Sequence, residues 1–266
     1  MVEQSEDNGV IPWSRWFDSI WSIRYTGYPD RMAGIDAELK RIGVTDSGIL
    51  HEKLNFPSIT DAVMFNFLRA NHRTDCGKQS QVSCSLGHYS CIKSAYELGH
   101  EHMLVIEDDE RFLKNTDEIA EYLSFIPSDA DIVNFDVLPA DAQHNDVNFP
   151  QMMERDSINS RFFRYHMMFG GGCYALNRKA MGRLIDSYER FMRTADDYLS
   201  GRAPLGNDII YCASKKSICC QLTFSNSVNV GFWGTDTLHG IYRKKHLDYS
   251  EYNIVEKEGF TYGDYI

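Results

Sequence analysis

The stretch Met103-Leu104-Val105-Ile106-Glu107-Asp108-Asp109 decides the fold of this 266-residue chain, because four apolar residues lead directly into three carboxylates. A short apolar run that lies between Gly99 and a charged cluster is typical of a strand buried on both faces. The carboxylates then lie where the strand leaves the core, which is where ligands bind in open α/β sheets. The sequence therefore predicts an α/β fold with an acidic site at the end of this strand.

The three carboxylates predict a divalent cation site. In an extended segment Glu107 and Asp109 project to one side and Asp108 projects to the other. Adjacent negative charges repel one another, and a divalent cation relieves that repulsion. Because all the donors are oxygens, the chemistry favours Mg²⁺ or Mn²⁺, ions that also hold substrate phosphates. A solvated acidic turn is the alternative interpretation of the same residues.

Strands and helices alternate along the chain around this stretch. The segment from Trp16 to Tyr25 predicts a first strand, and the helix that begins at Asp30 has Gly43 where a left-handed C-cap belongs. The further predicted elements are a helix from Ser83 to Gly99, a helix that Thr116 caps and Pro127 stops, strands at 132–135, 161–169 and 218–224, and a helix that Asn177 caps. This alternation predicts a Rossmann-type, mostly parallel sheet flanked by helices.

Two segments lack a regular pattern. The segment 46–81 reads as an irregular connection with one short strand or helix, and the polar segment 139–159 has the length of a functional loop or lid. The whole chain predicts a single catalytic domain at 1–247, of which 1–12 are flexible, followed by a C-terminal tail at 248–266.

Composition narrows the partners and the compartment. The formal net charge of −11 argues against nucleic acid, which needs clustered Lys and Arg. Seven cysteines without a CxxC pair predict reduced thiols in the cytoplasm and argue against a zinc finger. The first ten residues lack the features of a signal peptide, and no run of about 18 apolar residues occurs. We therefore expect a cytoplasmic protein with at most peripheral contact at the inner face of a membrane.

Five motifs occur in an order that resembles glycosyltransferase family 25, the lipopolysaccharide-type galactosyl- and glucosyltransferases. The resemblance extends from about Trp21 to Gly240. The motifs are Tyr28-Pro29-Asp30-Arg31, Ser83-Cys84-Ser85-Leu86-Gly87-His88, Leu104-Val105-Ile106-Glu107-Asp108-Asp109, Gly170-Gly171-Gly172-Cys173-Tyr174-Ala175-Leu176 and Pro204-Leu205-Gly206-Asn207-Asp208. Two differences stand out. The first strand ends in 23–27 without the family's Asn-Leu pair, and the last motif is two residues longer than the family's Pro-x-Asp.

The resemblance implies a GT-A fold and a metal-dependent inverting transfer. The donor would be a UDP-sugar carrying a hexose, with galactose favoured and glucose the alternative. The acceptor would be the hydroxyl of a saccharide or glycolipid in lipopolysaccharide or glycan biosynthesis. The implied cofactor is Mn²⁺ or Mg²⁺.

The metal and donor roles fall on the acidic cluster. Asp109 is the expected main metal ligand, because a Lewis acid must stabilise the leaving diphosphate. Glu107 and Asp108 are expected to bind the donor through ribose or water contacts. Asp236 and His239 are candidates for further metal ligands, since imidazole and carboxylate both suit Mn²⁺, with an ordinary surface loop as the alternative.

The remaining candidates have structural alternatives. Asp208 is the expected general base, or else the N-cap of a helix that follows it. His88 faces the donor or is a hydrogen-bonded core residue. Gly171 and Gly172 allow a ligand to approach the backbone, or simply form a tight turn. Arg31 is expected at the nucleotide end of the donor, with a solvated face as the alternative.

Two rival functions remain open at this stage. The first is a noncatalytic protein of the same fold that binds nucleotide sugars or carbohydrates. The second is a metal-dependent phosphate-ester enzyme. The glycine run has no phosphate-loop lysine after it, which argues against an NTPase.

Overall fold

A seven-stranded mixed sheet flanked by helices forms the framework of the protein. The computed structural model describes residues 12–45, 48–56, 62–136, 138–139, 154–165, 168–169, 171–201, 203, 205–215 and 218–221. Residues 1–11 of the predicted flexible start, most of the predicted lid and the predicted tail lie outside these residues. The division into a catalytic domain and a tail therefore stays a prediction.

The helices and strands have the following bounds in the described residues. The helices are α1 (Pro29–Arg41), α2 (Ala62–Ala70), α3 (Gln79–Glu97), α4 (Thr116–Ser124), α5 (Arg178–Arg190) and α6 (Ala195–Leu199), and a short 3-10 helix at Trp13–Arg15 precedes them. The strands are β1 (Ser19–Tyr25), β2 (Leu50–Phe56), β3 (His102–Glu107), β4 (Glu110–Phe112), β5 (Ile132–Asn134), β6 (Leu138–Pro139), β7 (Phe162–Arg164), β8 (Met168–Phe169), β9 (Cys173–Asn177), β10 (Tyr211–Ser214) and β11 (Cys219–Gln221). None of these helices is long and apolar enough to cross a membrane.

The strand order of the main sheet is β2-β1-β3-β9-β5-β10-β7. Strands β2, β1, β3, β5 and β10 run in one direction, while β9 and the edge strand β7 run the other way. The last residues of β3 and β5 therefore lie beside the first residues of β9, along the edge of the sheet that runs across the strand ends. Two antiparallel ribbons, β4 with β11 and β6 with β8, lie beside the main sheet.

The register of β3 against β9 brings two predicted motifs together. His102 pairs with Asn177 at one end, and Ile106 pairs with Cys173 at the other. One step further, the backbone N–H of Glu107 donates to the carbonyl of Gly172 at 2.7 Å. The acidic cluster and the glycine turn therefore share one edge of the sheet.

Strand β3 is buried on both faces, as its apolar run predicts. Met103 and Val105 belong to the apolar core that contains Ile92 of α3 and Leu184 of α5. Leu104 and Ile106 belong to a second core on the opposite face, together with α1 and α4. The sheet is thus covered by helices on both sides, and this confirms the predicted α/β class.

Local capping signals in the sequence are also confirmed. Gly43 and Gly99 adopt positive φ angles of 75° and 83° after α1 and α3, a conformation that L side chains rarely adopt. The Asn177 side chain accepts a hydrogen bond from the N–H of Ala180 and begins α5. At α4 the cap is Asn115, one residue before the predicted Thr116, because Asn115 and Glu118 form a reciprocal capping box.

Three regions differ from the sequence-based expectation. The segment read as irregular contains both β2 and α2, and β2 was missed because it is an edge strand with exposed polar residues such as Glu52 and Lys53. The segment after Asp208 enters β10 at Tyr211, so Asp208 does not cap a helix there. The reversal of β9 and β7 also departs from the expected parallel order, because a buried strand looks the same in either direction.

Glu38 fixes α1 against the chain that follows the acidic cluster. Its side chain is buried, and Oε1 accepts the N–H of Phe112 at 2.7 Å. Arg41 donates to both oxygens of Glu38, and its guanidinium also donates to the carbonyl of Phe112 at 2.9 Å. The first helix is thereby held at the edge of the sheet where the carboxylates lie.

Glu38→Ala should lower the free energy of unfolding by about 2 kcal/mol, because the buried N–H of Phe112 and the guanidinium of Arg41 lose their acceptor. Urea denaturation measures the change. The matched control is Lys40→Ala, an exposed site on the same helix, for which the change should stay within about 0.5 kcal/mol. Equal effects at the two positions would contradict this role of Glu38.

Candidate functional site

Glu107 lies at the end of β3, where His88 orients its side chain. The carboxylate of Glu107 accepts only, so Nε2 of His88 donates to Oε1 at 2.8 Å. The other ring nitrogen of His88, Nδ1, accepts the hydroxyl of Tyr174 on β9 at 2.7 Å. His88 is fully buried on α3. His88 is therefore a hydrogen-bonded core residue, as its structural alternative predicts, and its role toward the donor stays a prediction.

Asp108 and Asp109 are buried carboxylates that share one cation, Arg31. Asp108 accepts the backbone N–H of Tyr25 at 2.8 Å, and Asp109 Oδ2 lies 2.7 Å from Nη2 of Arg31. Burial raises the pKa of Asp108, although Arg31 acts in the opposite direction. Burial opposes the charge of Arg31, but Asp109, Asp108 and Glu107 outweigh it and raise the pKa of the guanidinium. The cluster therefore contains its own countercharge.

Asp196 is a further carboxylate beside Glu107, and it was not among the residues predicted from the sequence. Asp196 lies in the first turn of α6, which begins where the Thr194 side chain accepts the N–H of Asp197. Burial, followed by the negative charge of Glu107, raises the pKa of Asp196 to about 6. The signal in the sequence was Thr194 followed by two aspartates, but this pattern is also that of an ordinary helix start.

Helix α3, the end of β3 and α6 meet at the site, and the solvent-facing region between them is called the cleft. Cys84 of α3 and Asp196 are both exposed to solvent. Protein atoms nevertheless surround the two groups closely enough that burial is the main cause raising the pKa of each. The exposed face of Glu107 opens to the same cleft, 3.8 Å from the sulfur of Cys84.

The two glycines allow carboxylates to approach the beginning of β9. A Cβ atom on Gly171 would lie 2.8 Å from Oδ1 of Asp196, and one on Gly172 would lie 1.8 Å from Oε1 of Glu110. Glu110 is itself fully buried. The glycine run therefore has a packing reason in this protein, and close approach of a donor stays a prediction.

Asp208 lies where the parallel strands begin, whereas the acidic cluster lies where they end. It precedes β10 and pairs with Arg183 at 3.4 Å and Lys179 at 3.7 Å, and Lys179 also pairs with Asp131 at the start of β5. Glu107 is at the other end of the sheet, so the length of β3, about 17 Å, separates the two edges. The structure therefore does not bring the expected base into the cleft.

The charges around Asp208 also argue against a role as the general base. A backbone hydrogen bond, Arg183 and Lys179 together outweigh desolvation and lower the pKa of this carboxyl. A lower pKa makes a carboxylate a weaker proton acceptor. Position and basicity therefore both argue against Asp208 as the base, and its role stays a prediction.

The predicted site residues divide into three groups. One group converges at the edge of the sheet where β3 ends: Arg31, His88, Glu107, Asp108, Asp109, Gly171 and Gly172. Asp208 lies at the other edge. Asp236 and His239, the candidates for further metal ligands, lie outside the described residues.

An α/β sheet with a carboxylate cleft at the ends of its strands defines a ligand-binding protein of the α/β class. A sequence model of glycosyltransferase family 25, described as an LPS biosynthesis protein, matches residues 51–199, more than half of the chain. The protein therefore belongs to glycosyltransferase family 25. Comparison with curated proteins gave no significant match.

Several solved structures resemble the chain distantly. A glycosyltransferase involved in the glycosylation of the major capsid of PBCV-1 is 10% identical with a TM-score of 0.35, and the alignment covers 64% of this chain and 66% of that one, just under two thirds. A197 from STIV is 12% identical with a TM-score of 0.37, over 73% and 80% of the two chains. Mouse xyloside xylosyltransferase 1, apo form, is 10% identical with a TM-score of 0.35, over 73% and 83%. Likeness at this level carries no functional argument, so the assignment rests on the family match.

Glu107→Gln should lower the pKa of Asp196 from its value of about 6, because the substitution removes the negative charge that opposes ionisation of Asp196. Carboxyl carbon chemical shifts, followed by NMR across the pH range, measure the change. Glu97→Gln, at the exposed far end of α3, is the control and should leave the titration unchanged. An Asp196 titration that does not move in Glu107→Gln would show that the two groups are not coupled.

Proposed function

We propose that the protein is a metal-dependent, inverting glycosyltransferase. It transfers a hexose, with galactose favoured over glucose, from a UDP-sugar to a hydroxyl of a saccharide or glycolipid. The observation that carries the proposal is the pair of buried carboxylates, Asp108 and Asp109. Both form ion pairs with the guanidinium of Arg31 at the end of β3 in a family 25 chain.

The acidic cluster fits a divalent cation. Asp108 and Asp109 offer oxygen donors, which Mn²⁺ and Mg²⁺ prefer. Both carboxylates already bind the guanidinium of Arg31, so the local field favours positive charge. We assign Asp109 as the main metal ligand and give Asp108 and Glu107 contacts to the donor. The bound metal would supply Lewis-acid stabilisation of the diphosphate leaving group.

Arg31 is suited to the diphosphate of the donor. It lies in the first turn of α1, and the N-terminus of a helix favours anions. Its planar guanidinium can donate two parallel hydrogen bonds to a phosphate. In the proposed role, this arginine turns from its carboxylate partners toward the phosphate when the donor and metal arrive.

Asp196 replaces Asp208 as the proposed general base. An inverting displacement needs a group on the acceptor side that takes the proton of the attacking hydroxyl, and Asp196 is accessible from the cleft that Glu107 lines. With a pKa of about 6, Asp196 is ionised at neutral pH and yet more basic than an ordinary aspartate. General bases work best when their pKa lies near the working pH.

The location of the reaction is part of the same proposal. A family described by its role in LPS biosynthesis suggests an acceptor that is a saccharide or a glycolipid of the cell envelope. We place the reaction in the cytoplasm, with peripheral contact at the inner face of the membrane where a glycolipid acceptor would be presented.

Asp109→Asn should reduce UDP release from UDP-galactose in the presence of Mn²⁺ on the order of 100-fold or more, because the main metal ligand loses its charge. A coupled assay of UDP release measures the rate. Asp117→Asn is the control, since this aspartate is exposed on α4. A fully retained rate in Asp109→Asn would refute the metal assignment.

The same assay separates the rival functions. A noncatalytic protein would be stabilised by UDP-sugars in a thermal-shift measurement without releasing UDP. A phosphate-ester enzyme would turn over nucleotides and simple phosphate esters as readily as UDP-sugars.

Asp196→Asn should lower kcat by about 100-fold or more, because the amide cannot accept the proton of the acceptor hydroxyl. In the unsubstituted enzyme the rate should fall as the pH drops below about 6, since Asp196 becomes protonated. This decline should disappear in Asp196→Asn.

Asp208→Asn is the matched control and should keep kcat within about threefold, since surface substitutions have small effects. The pH profile of the transfer rate for the three proteins measures the outcome. A large loss in Asp208→Asn with a normal rate in Asp196→Asn would restore Asp208 as the base.

A further inference from the structure

Cys84, His88 and Glu107 form a cluster whose chemistry differs from that of the neighbouring carboxylates. One donor atom from each residue lies within 4.8 Å of the other two. We propose that this cluster is a binding site for Zn²⁺, separate from the Mn²⁺ or Mg²⁺ site at Asp109. It is called the thiol site below.

The three residues are arranged as zinc ligands require. Cys84 and His88 are four residues apart on α3, so they project from the same face of the helix. Glu107 reaches them from the end of β3. Nε2 of His88 and the sulfur of Cys84 lie 2.8 Å and 3.8 Å from Oε1 of Glu107. Tetrahedral zinc with bonds of about 2.0 to 2.3 Å needs ligand separations of about 3.3 to 3.7 Å. Since all three donor atoms lie within 4.8 Å of one another, side-chain shifts of up to about 1 Å suffice.

Tyr174 supplies the outer contact that a zinc-bound histidine needs. Its hydroxyl lies 2.7 Å from Nδ1 of His88. When zinc binds Nε2, the proton of His88 moves to Nδ1 and is donated to the oxygen of Tyr174. Cys84 loses its thiol proton to solvent, so the two negative ligands, thiolate and carboxylate, balance the charge of Zn²⁺.

The donor set favours Zn²⁺ over the hard cations. Thiolate and imidazole bind Zn²⁺ well, whereas Mg²⁺ and Mn²⁺ favour carboxylate and water oxygens such as those at Asp109. Cys84 is exposed, so a fourth position is open to water. Spacing rules along the sequence miss this site, because Glu107 is 19 residues from His88 and joins it only through folding.

Glu107 belongs to the thiol site and to the donor cleft. Zinc would take Oε1 of Glu107 from His88 and add positive charge beside Asp109. If the proposed transferase function holds, Zn²⁺ therefore inhibits the transfer through Cys84.

Titration of the metal-depleted full chain with Co²⁺ tests the thiol site directly, because Co²⁺ bound to a thiolate absorbs light through charge transfer. One equivalent of Co²⁺ should produce this absorption together with the visible bands of a tetrahedral ion, and Zn²⁺ should displace it. Cys84→Ala should abolish the charge-transfer band and weaken Zn²⁺ binding about tenfold or more. Cys84 is exposed, and an unchanged melting temperature would confirm that the variant is folded.

Two further variants separate the possible outcomes. His102→Ala, at an exposed histidine at the start of β3, should keep the spectrum. Asp109→Asn should also keep it, so failure of the transferase proposal would leave this result standing. No charge-transfer band in the unsubstituted protein, or an equal band in Cys84→Ala, would overturn the thiol site. If Zn²⁺ inhibited transfer equally in the unsubstituted protein and in Cys84→Ala, the link between inhibition and Cys84 would be overturned.

Discussion

The antiparallel pairing of β9 between β3 and β5 is the constraint on which the site depends. This pairing places the carbonyl of Gly172 against the N–H of Glu107 and the hydroxyl of Tyr174 against His88. Because β9 runs against its neighbours, its first residues, rather than its last, lie at the edge where β3 ends. A helix-covered sheet thereby brings together side chains from α1, α3, β3, β9 and α6, which are far apart in the chain.

Negative charge is concentrated where β3 ends, and buried carboxylates are stable only when other groups compensate their charge. Asp108 and Asp109 are taken out of water, and their desolvation is offset by Arg31 and by the N–H of Tyr25. Glu107 and Asp196 stay in contact with the cleft, where burial and the negative charge of Glu107 raise the pKa of Asp196 to about 6. The same crowding thus produces two kinds of carboxylate: a buried pair that shares the guanidinium of Arg31, and Asp196, whose raised pKa suits the proton-accepting role proposed above.

The sequence revealed those parts of the fold that rest on local chemistry. The apolar run before Glu107, the glycines after α1 and α3, and the cap at Asn177 each carried a physical signal within a few residues. The direction of β9 was not predictable, because burial of a strand does not depend on its direction. The same holds in the site: the acidic run identified Glu107 to Asp109, but the positions of Asp196 and Asp208 depend on which edge of the sheet their loops reach.

The ion pairs of Arg31 have a consequence for how this protein would take up a metal. Many metal sites are unstable until the ion arrives, so that folding and metal supply are linked. Here the carboxylates already have a resident cation, the guanidinium of Arg31, so binding of the proposed metal would exchange one positive group for another. The net change in charge at the two carboxylates is smaller than the full charge of the incoming ion. In the proposed mechanism the displaced guanidinium would lie beside the phosphates of the donor, so the group that neutralises the carboxylates would also hold the substrate.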